Sequence, residues 1–204
     1  MSRPRHALLL LAAGGSRRLG EPKQLLRLAG ESLVRRAARL GLATAPAEAV
    51  VVCGAHADAV WRELADLPVR RIDCDTWAAG LGDSLATGLR ALSGDIDGAL
   101  VLLCDQPALD AAHLQALRDA WQGDPARAAA SAYAGVLGVP ALLPRAWFAR
   151  LAAGGHDQGA RDLLRARAAD VQAIDAPALA QDLDTPEQAR AVTGTSLGAN
   201  QGEE

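Results

Sequence analysis

The chain reads as an α/β protein with a mostly parallel central sheet and helices on both faces. Apolar runs of strand length alternate along it with amphipathic stretches of helix length, the order from which βαβ units are built. The first run, HALLLLA at residues 6–12, has no polar residue after its histidine, as suits a central parallel strand covered on both faces. That run ends at Gly14 and Gly15, so a glycine loop stands at the carboxyl end of a strand, where open α/β sheets bind ligands.

Each later element follows from its pattern. Residues 32–43 set Leu33, Ala37 and Leu40 against Arg35, Arg36 and Arg39, the spacing of a surface helix. EAVVVCG at 48–54 predicts a second buried strand, 57–67 a helix, and VRRID at 69–73 a short third strand. SLATGLRAL at 84–92 predicts a helix that Ser84 would start, GALVLLC at 98–104 a strand, and 111–121 a helix. The alternation then loosens, and residues 127–144 predict two strands joined near Gly135 in an antiparallel excursion. Helices at 145–152 and 159–167 and a strand at 171–174 close the pattern, which together is Rossmann-like in order. Residues 1–193 are expected to form one domain, and 194–204, small and polar without periodicity, a disordered tail.

Composition excludes several classes. With 204 residues and 50% apolar content the chain can bury a sizeable core. A net charge of -3 supplies no overall basic field, which argues against nucleic acid as a partner. The longest apolar run, residues 7–13, falls far short of the roughly 20 residues that cross a bilayer, so no membrane association is expected. Cys53, Cys74 and Cys104 are widely spaced and form no CxxC pair; neither disulfides nor zinc are expected, and a reducing cytoplasm fits. Trp61, Trp121 and Trp147 sit at helical core spacings, whereas Trp77 adjoins a glycine-rich motif. His6, His56 and His113 are assigned no role in chemistry.

The loop after the first strand carries the clearest chemistry. Gly14 and Gly15 let backbone N–H groups turn toward an anion, and Ser16 adds a hydroxyl. Arg18 can fork onto phosphate oxygens, and Lys23, read as an exposed lysine on a long stem, can reach a leaving-group oxygen. Neither GxxxxGK[ST] nor GxGxxG is present. Glycines and arginines alone are equally compatible with a solvated surface turn.

The full string is more specific. LAAGGSRRLGEPK at 11–23 resembles the LAAGxSxRxGxxK signature of nucleotidyltransferases of the MobA-like family, and within it the molybdenum cofactor cytidylyltransferases. WAAGLGDSLATGL at 77–89, CDQP at 104–107, HDQGARDLL at 156–164 and DLDTPEQA at 182–189 are similar to further blocks of that group, in order along nearly the whole chain. The resemblance implies a Rossmann-like nucleotidyltransferase fold. It also implies a nucleotide site from Leu11, Ala12, Ala13, Gly14, Gly15, Ser16, Arg18 and Lys23, with Gly80, Gly82 and Ser84 beside the base. Lys23, Arg18 and Asp105 would be the catalytic residues.

Nucleotidyl transfer needs an electrophilic α-phosphorus, a neutralised pyrophosphate and a second phosphate held in line. Mg²⁺ commonly serves, held by one or two carboxylates. Asp105, at a strand end before Pro107, is one candidate. The resemblance puts the other at Asp184, with Asp182 competing. Asp157 and Arg161 are candidate contacts to a second substrate. The implied substrates are CTP and the molybdopterin cofactor, the AAG at 12–14 favouring cytidine over the AGG of guanylyl-transferring relatives. GTP as donor, a sugar phosphate or other metabolite as acceptor, and a non-catalytic carrier delivering the cofactor to a client molybdoenzyme are the alternatives. Cys104, where glycine is common in the group, and Val139, where a polar residue is common before Pro140, depart from its pattern.

Overall fold

A computed structural model describes residues 3–16, 19–153, 159–181, 183, 185, 187 and 188. The expected tail at 194–204 lies outside these residues, as do Arg18, Asp157, Asp182 and Asp184. The chain begins with β1 (His6–Ala12), a 3-10 turn at Lys23–Leu25, a short hairpin of β2 (Arg27–Leu28) and β3 (Glu31–Ser32), and α1 (Leu33–Leu42). It continues through β4 (Glu48–Cys53), α2 (Ala57–Arg62), β5 (Arg70–Asp73), α3 (Leu81–Ala91), β6 (Gly98–Leu103) and α4 (Ala111–Gly123). Then come β7 (Ala128–Tyr133), β8 (Val136–Pro144), α5 (Phe148–Ala153), α6 (Ala160–Ala166) and β9 (Val171–Asp175).

Seven strands form one sheet in the order β5-β4-β1-β6-β8-β7-β9. β1 lies between β4 and β6, parallel to both, and β4 is parallel to β5. The expected excursion is present: β8 runs antiparallel to β6 and to β7, and β9 returns parallel to β7. Successive side chains of β1 point to opposite faces. Leu8 and Leu10 pack with Val34, Leu114 and Trp121, while Leu9 and Leu11 pack with Leu85, Leu89 and Leu163. Helices thus cover both faces, and the unbroken apolar run follows from having no solvent side.

One expectation fails here. The helix predicted over 57–67 stops at Arg62. The Arg35 guanidinium takes Glu63 O at 2.7 Å and Asp66 Oδ1 at 2.6 Å, and Pro68 disfavours helical geometry at the residue before it. Trp121 and Trp147 are buried as expected, and Trp61 is half-buried against the core. All three cysteines are free and buried. No helix among the described residues is long and apolar enough to cross a membrane.

His6 is only 3% exposed, with Nε2 2.9 Å from Thr44 Oγ1. That hydroxyl donates to Gly41 O at 2.7 Å, so the proton between His6 and Thr44 belongs to the imidazole. Burial first, and the Arg118 charge second, push the His6 pKa down from 6.5 to about 4. Between those values the unfolded chain binds a proton that the native state does not. Native stability therefore falls as pH drops through that window, by about 3 kcal/mol at pH 4. Urea unfolding at pH 7 and pH 4 should show this loss in wild type and a correspondingly smaller one in His6→Gln, which keeps a donor for Thr44. Equal losses in the two proteins would dismiss His6 as the sensitive group.

Candidate active site

The glycine loop leaves the carboxyl end of β1 and is fixed from within by one side chain. Gln24, in the 3-10 turn, is 1% exposed. Its Nε2 donates to Ala12 O at 3.1 Å and to Gly14 O at 2.6 Å. Its Oε1 accepts from Ser16 Oγ at 3.4 Å, and that hydroxyl oxygen in turn accepts the Lys23 N–H at 2.9 Å. Ser16 is held at φ 50, left-handed for a residue with a Cβ, and its carbonyl receives Leu19 N–H at 3.0 Å and Gly20 N–H at 3.3 Å. Ala13 O accepts from Ala55 N at 3.1 Å, tying the loop to the exit of β4. Trp77 adjoins the loop: a Cβ on Gly15 would lie 2.9 Å from its ring, so only glycine fits without displacement.

Lys23 and Asp105, far apart in sequence, meet here. Asp105 is held just past the end of β6, and its Oδ2 lies 2.5 Å from Lys23 Nζ. The expectation of an exposed lysine is corrected: the Lys23 side chain is 21% exposed and that of Asp105 10%. Asp105 Oδ1 is buried and has no hydrogen-bond partner among the described residues, an uncommon condition for a carboxylate oxygen unless something else is meant to meet it. Leu183, the residue between Asp182 and Asp184 in sequence, donates its N–H to Asp105 O at 3.1 Å. The chain therefore passes beside Asp105 at that residue. Cys104 is buried, and desolvation with the neighbouring Asp105 charge raises its thiol pKa to about 12, far from reactivity at neutral pH.

A cleft of about 430 Å³ opens beyond the start of α3. Gly80, Gly82, Gln106, Tyr133, Val139 and Arg161 are among its lining residues. Ser84 does not start the helix. α3 begins at Leu81 with Gly80 as its N-cap at φ 144, and Ser84 lies buried inside the first turn. Glycine reaches that φ freely, which moves the helix start four residues earlier than a serine cap would set it. Gly80 brings no side chain to cap this N-terminus, and the carboxylate in its first turn is that of Asp83. The structure thus groups Gly80 and Gly82 with the exposed Arg161 at this cleft. Gln106 is 4% exposed; its Nε2 donates to Val139 O at 3.0 Å, which also accepts Tyr133 Oη at 2.9 Å.

Two polar residues central to this geometry, Gln24 and Gln106, escape the sequence reading. A glutamine between Lys23 and the pair Leu25-Leu26, and one inside CDQP, are the only signals they leave. Nothing in a single sequence says that either is buried.

A strand-end loop with backbone donors, a lysine and a buried acid on a Rossmann-like sheet define a nucleotide-handling α/β protein. The chain belongs to the MobA-like NTP transferase family, whose domain matches residues 8–172. It is 34% identical over 192 residues to "Nicotine blue oxidoreductase" of Paenarthrobacter nicotinovorans, covering 88% of this chain and 92% of that protein. It is 38% identical over 112 residues to "Probable molybdenum cofactor guanylyltransferase" of Synechococcus elongatus, covering 55% of this chain and 56% of that protein. Among solved structures, Rv0371c from Mycobacterium tuberculosis H37Rv superposes with a TM-score of 0.80 at 25% identity, covering 95% of this chain and 100% of that one.

Proposed function

We propose that the chain transfers the nucleotidyl group of an NTP, CTP by preference, to a phosphate of the molybdopterin cofactor. An acceptor phosphate oxygen attacks the α-phosphorus, the bond to the bridging oxygen breaks, and pyrophosphate leaves. The observation that carries this reading is the pairing of Lys23 with Asp105 beside the backbone loop at the carboxyl ends of β1 and β6. A protein that only carried a finished cofactor would have no use for a leaving-group cation.

In this reading the loop amides bind the triphosphate and Arg18 forks onto its oxygens. Lys23, held by Asp105 until a phosphate oxygen competes for it, offsets the charge that develops on pyrophosphate. Asp105 suits a hard cation, because its buried Oδ1 has an acceptor site that no hydrogen bond from the described residues occupies. Mg²⁺ held there would neutralise triphosphate oxygens and sharpen the electrophile. Asp184, or Asp182 near it in sequence, is the proposed second carboxylate. Arg161 and Asp157 are proposed to meet the acceptor, with Arg161 at the cleft that Gly80 and Gly82 also line.

The preference for CTP rests on the AAG at 12–14. GTP is the second reading, favoured by the likeness to a protein named as a guanylyltransferase. Purified protein incubated with the molybdopterin cofactor and each of four NTPs should release pyrophosphate fastest with CTP, and chelation by EDTA should stop the release. A higher kcat/KM with GTP would move the assignment to guanylyl transfer. Oxidation of NADH or NADPH without pyrophosphate release would instead favour an oxidoreductase, as the first of those relatives is named.

A further inference from the structure

The carboxamide of Gln24 holds two peptide units at once. Carbonyl oxygens only accept, so the group facing Ala12 O and Gly14 O is the amide nitrogen. The peptides that follow these carbonyls are trans. In a planar trans peptide the N–H points opposite to the C=O. The N–H groups of Ala13 and Gly15 are therefore turned away from Gln24, whose side chain lies in the interior. Its Oε1 receives Ser16 Oγ, and Ser16 Oγ receives the Lys23 backbone, so the same carboxamide also fixes where the lysine leaves the loop.

We infer that Gln24 is a positioning residue that presets the loop, aiming the Ala13 and Gly15 amides at bound nucleotide and setting the base of Lys23. This rests on the nucleotide reading proposed above. Without both carbonyl contacts, either peptide plane can rotate and turn an acceptor instead of a donor toward phosphate. Misplacement of about 1 Å in such a group costs about 100-fold in rate.

Gln24→Leu keeps the bulk and removes every hydrogen bond. Gln24→Glu is more diagnostic. Its carboxylate faces two carbonyl oxygens as an acceptor, whereas its protonated form donates to one of them, and burial raises the pKa at which that switch occurs. Relative to wild type at the same pH, Gln24→Leu should lose about 100-fold in kcat/KM for nucleotide at both pH 8.5 and pH 6. Gln24→Glu should lose about as much at pH 8.5 and recover to within about tenfold at pH 6. In nucleotide-free protein, amide hydrogen exchange at residues 13–16 should speed up in both variants at pH 8.5, while β6 amides keep wild-type protection. Wild-type kcat/KM and loop exchange in Gln24→Leu, or a Gln24→Glu deficit that ignores pH, would overturn the inference. If wild type itself releases no pyrophosphate with any NTP, the functional reading fails, and loop exchange alone decides whether Gln24 holds the loop.

Discussion

Replacing Lys23 with methionine is expected to lower turnover by about 10²–10³-fold and to destabilise the nucleotide-free protein by about 2 kcal/mol. The first effect follows, on the function proposed above, from losing the cation that would meet the leaving pyrophosphate. The second follows from Asp105, whose side chain is 10% exposed, whose Oδ2 is bound by Lys23 and whose Oδ1 has no hydrogen-bond partner among the described residues. Removing one member of a buried ion pair strands the other, which costs more than the pair is worth. Asp105→Asn should also abolish most turnover if Asp105 holds the proposed Mg²⁺, because an amide is a poor ligand for a hard cation. The double variant Lys23→Met with Asp105→Asn should regain at least 1 kcal/mol of the summed stability loss and none of the activity. Thermal unfolding and pyrophosphate release on the four proteins measure this. Additive stability losses would dissolve the pair as an energetic unit, and wild-type turnover in the lysine variant would remove its catalytic role.

Gly15→Val should cost about 100-fold in kcat/KM for nucleotide, whereas Gly14→Ala should stay near wild type. The two glycines are neighbours with different surroundings. Among the described residues a Cβ on Gly14 meets nothing within 4 Å, but one on Gly15 meets the Trp77 ring at 2.9 and 3.1 Å. The indole is a rigid plane, so the loop has to move, and with it the Gly15 amide. Trp77→Leu in the Gly15→Val background should return about tenfold by opening that space. Steady-state kinetics on these variants would reject the account if Gly14→Ala were as damaging as Gly15→Val, or if the smaller side chain at Trp77 gave no recovery.

Legibility in the sequence tracked the kind of force at work. β1 was read to the residue because seven positions buried on both sides leave an apolar run with nothing to blur its ends. The antiparallel excursion was legible from the turn at Gly135, which sits at φ 75. The start of α3 was not, because the cap is a glycine acting through its backbone, and a serine in the first turn mimics a cap. Lys23 and Asp105 were each visible as motif residues, but their contact spans strands that only the fold brings together. Gln24 and Gln106 were invisible for a related reason: an uncharged polar side chain carries no mark of burial, and its value lies in backbone carbonyls it happens to reach.

The strand order ends on one side at β5, and that margin has a bearing on how the protein behaves at high concentration. Three of its four residues are charged: Arg70, Arg71 and Asp73. Arg71 is engaged by Asp58 at 2.8 Å and Asp73 at 2.7 Å, and Arg70 by Glu48 at 3.5 Å. A strand from a second molecule that sought the unpaired backbone of β5 would crowd these guanidiniums and strip water from them, which discourages edge-to-edge addition. Such charges give each exposed pair little stability. Their value lies in blocking sheet extension at the β5 end of an α/β sheet otherwise rich in Val, Leu and Ala.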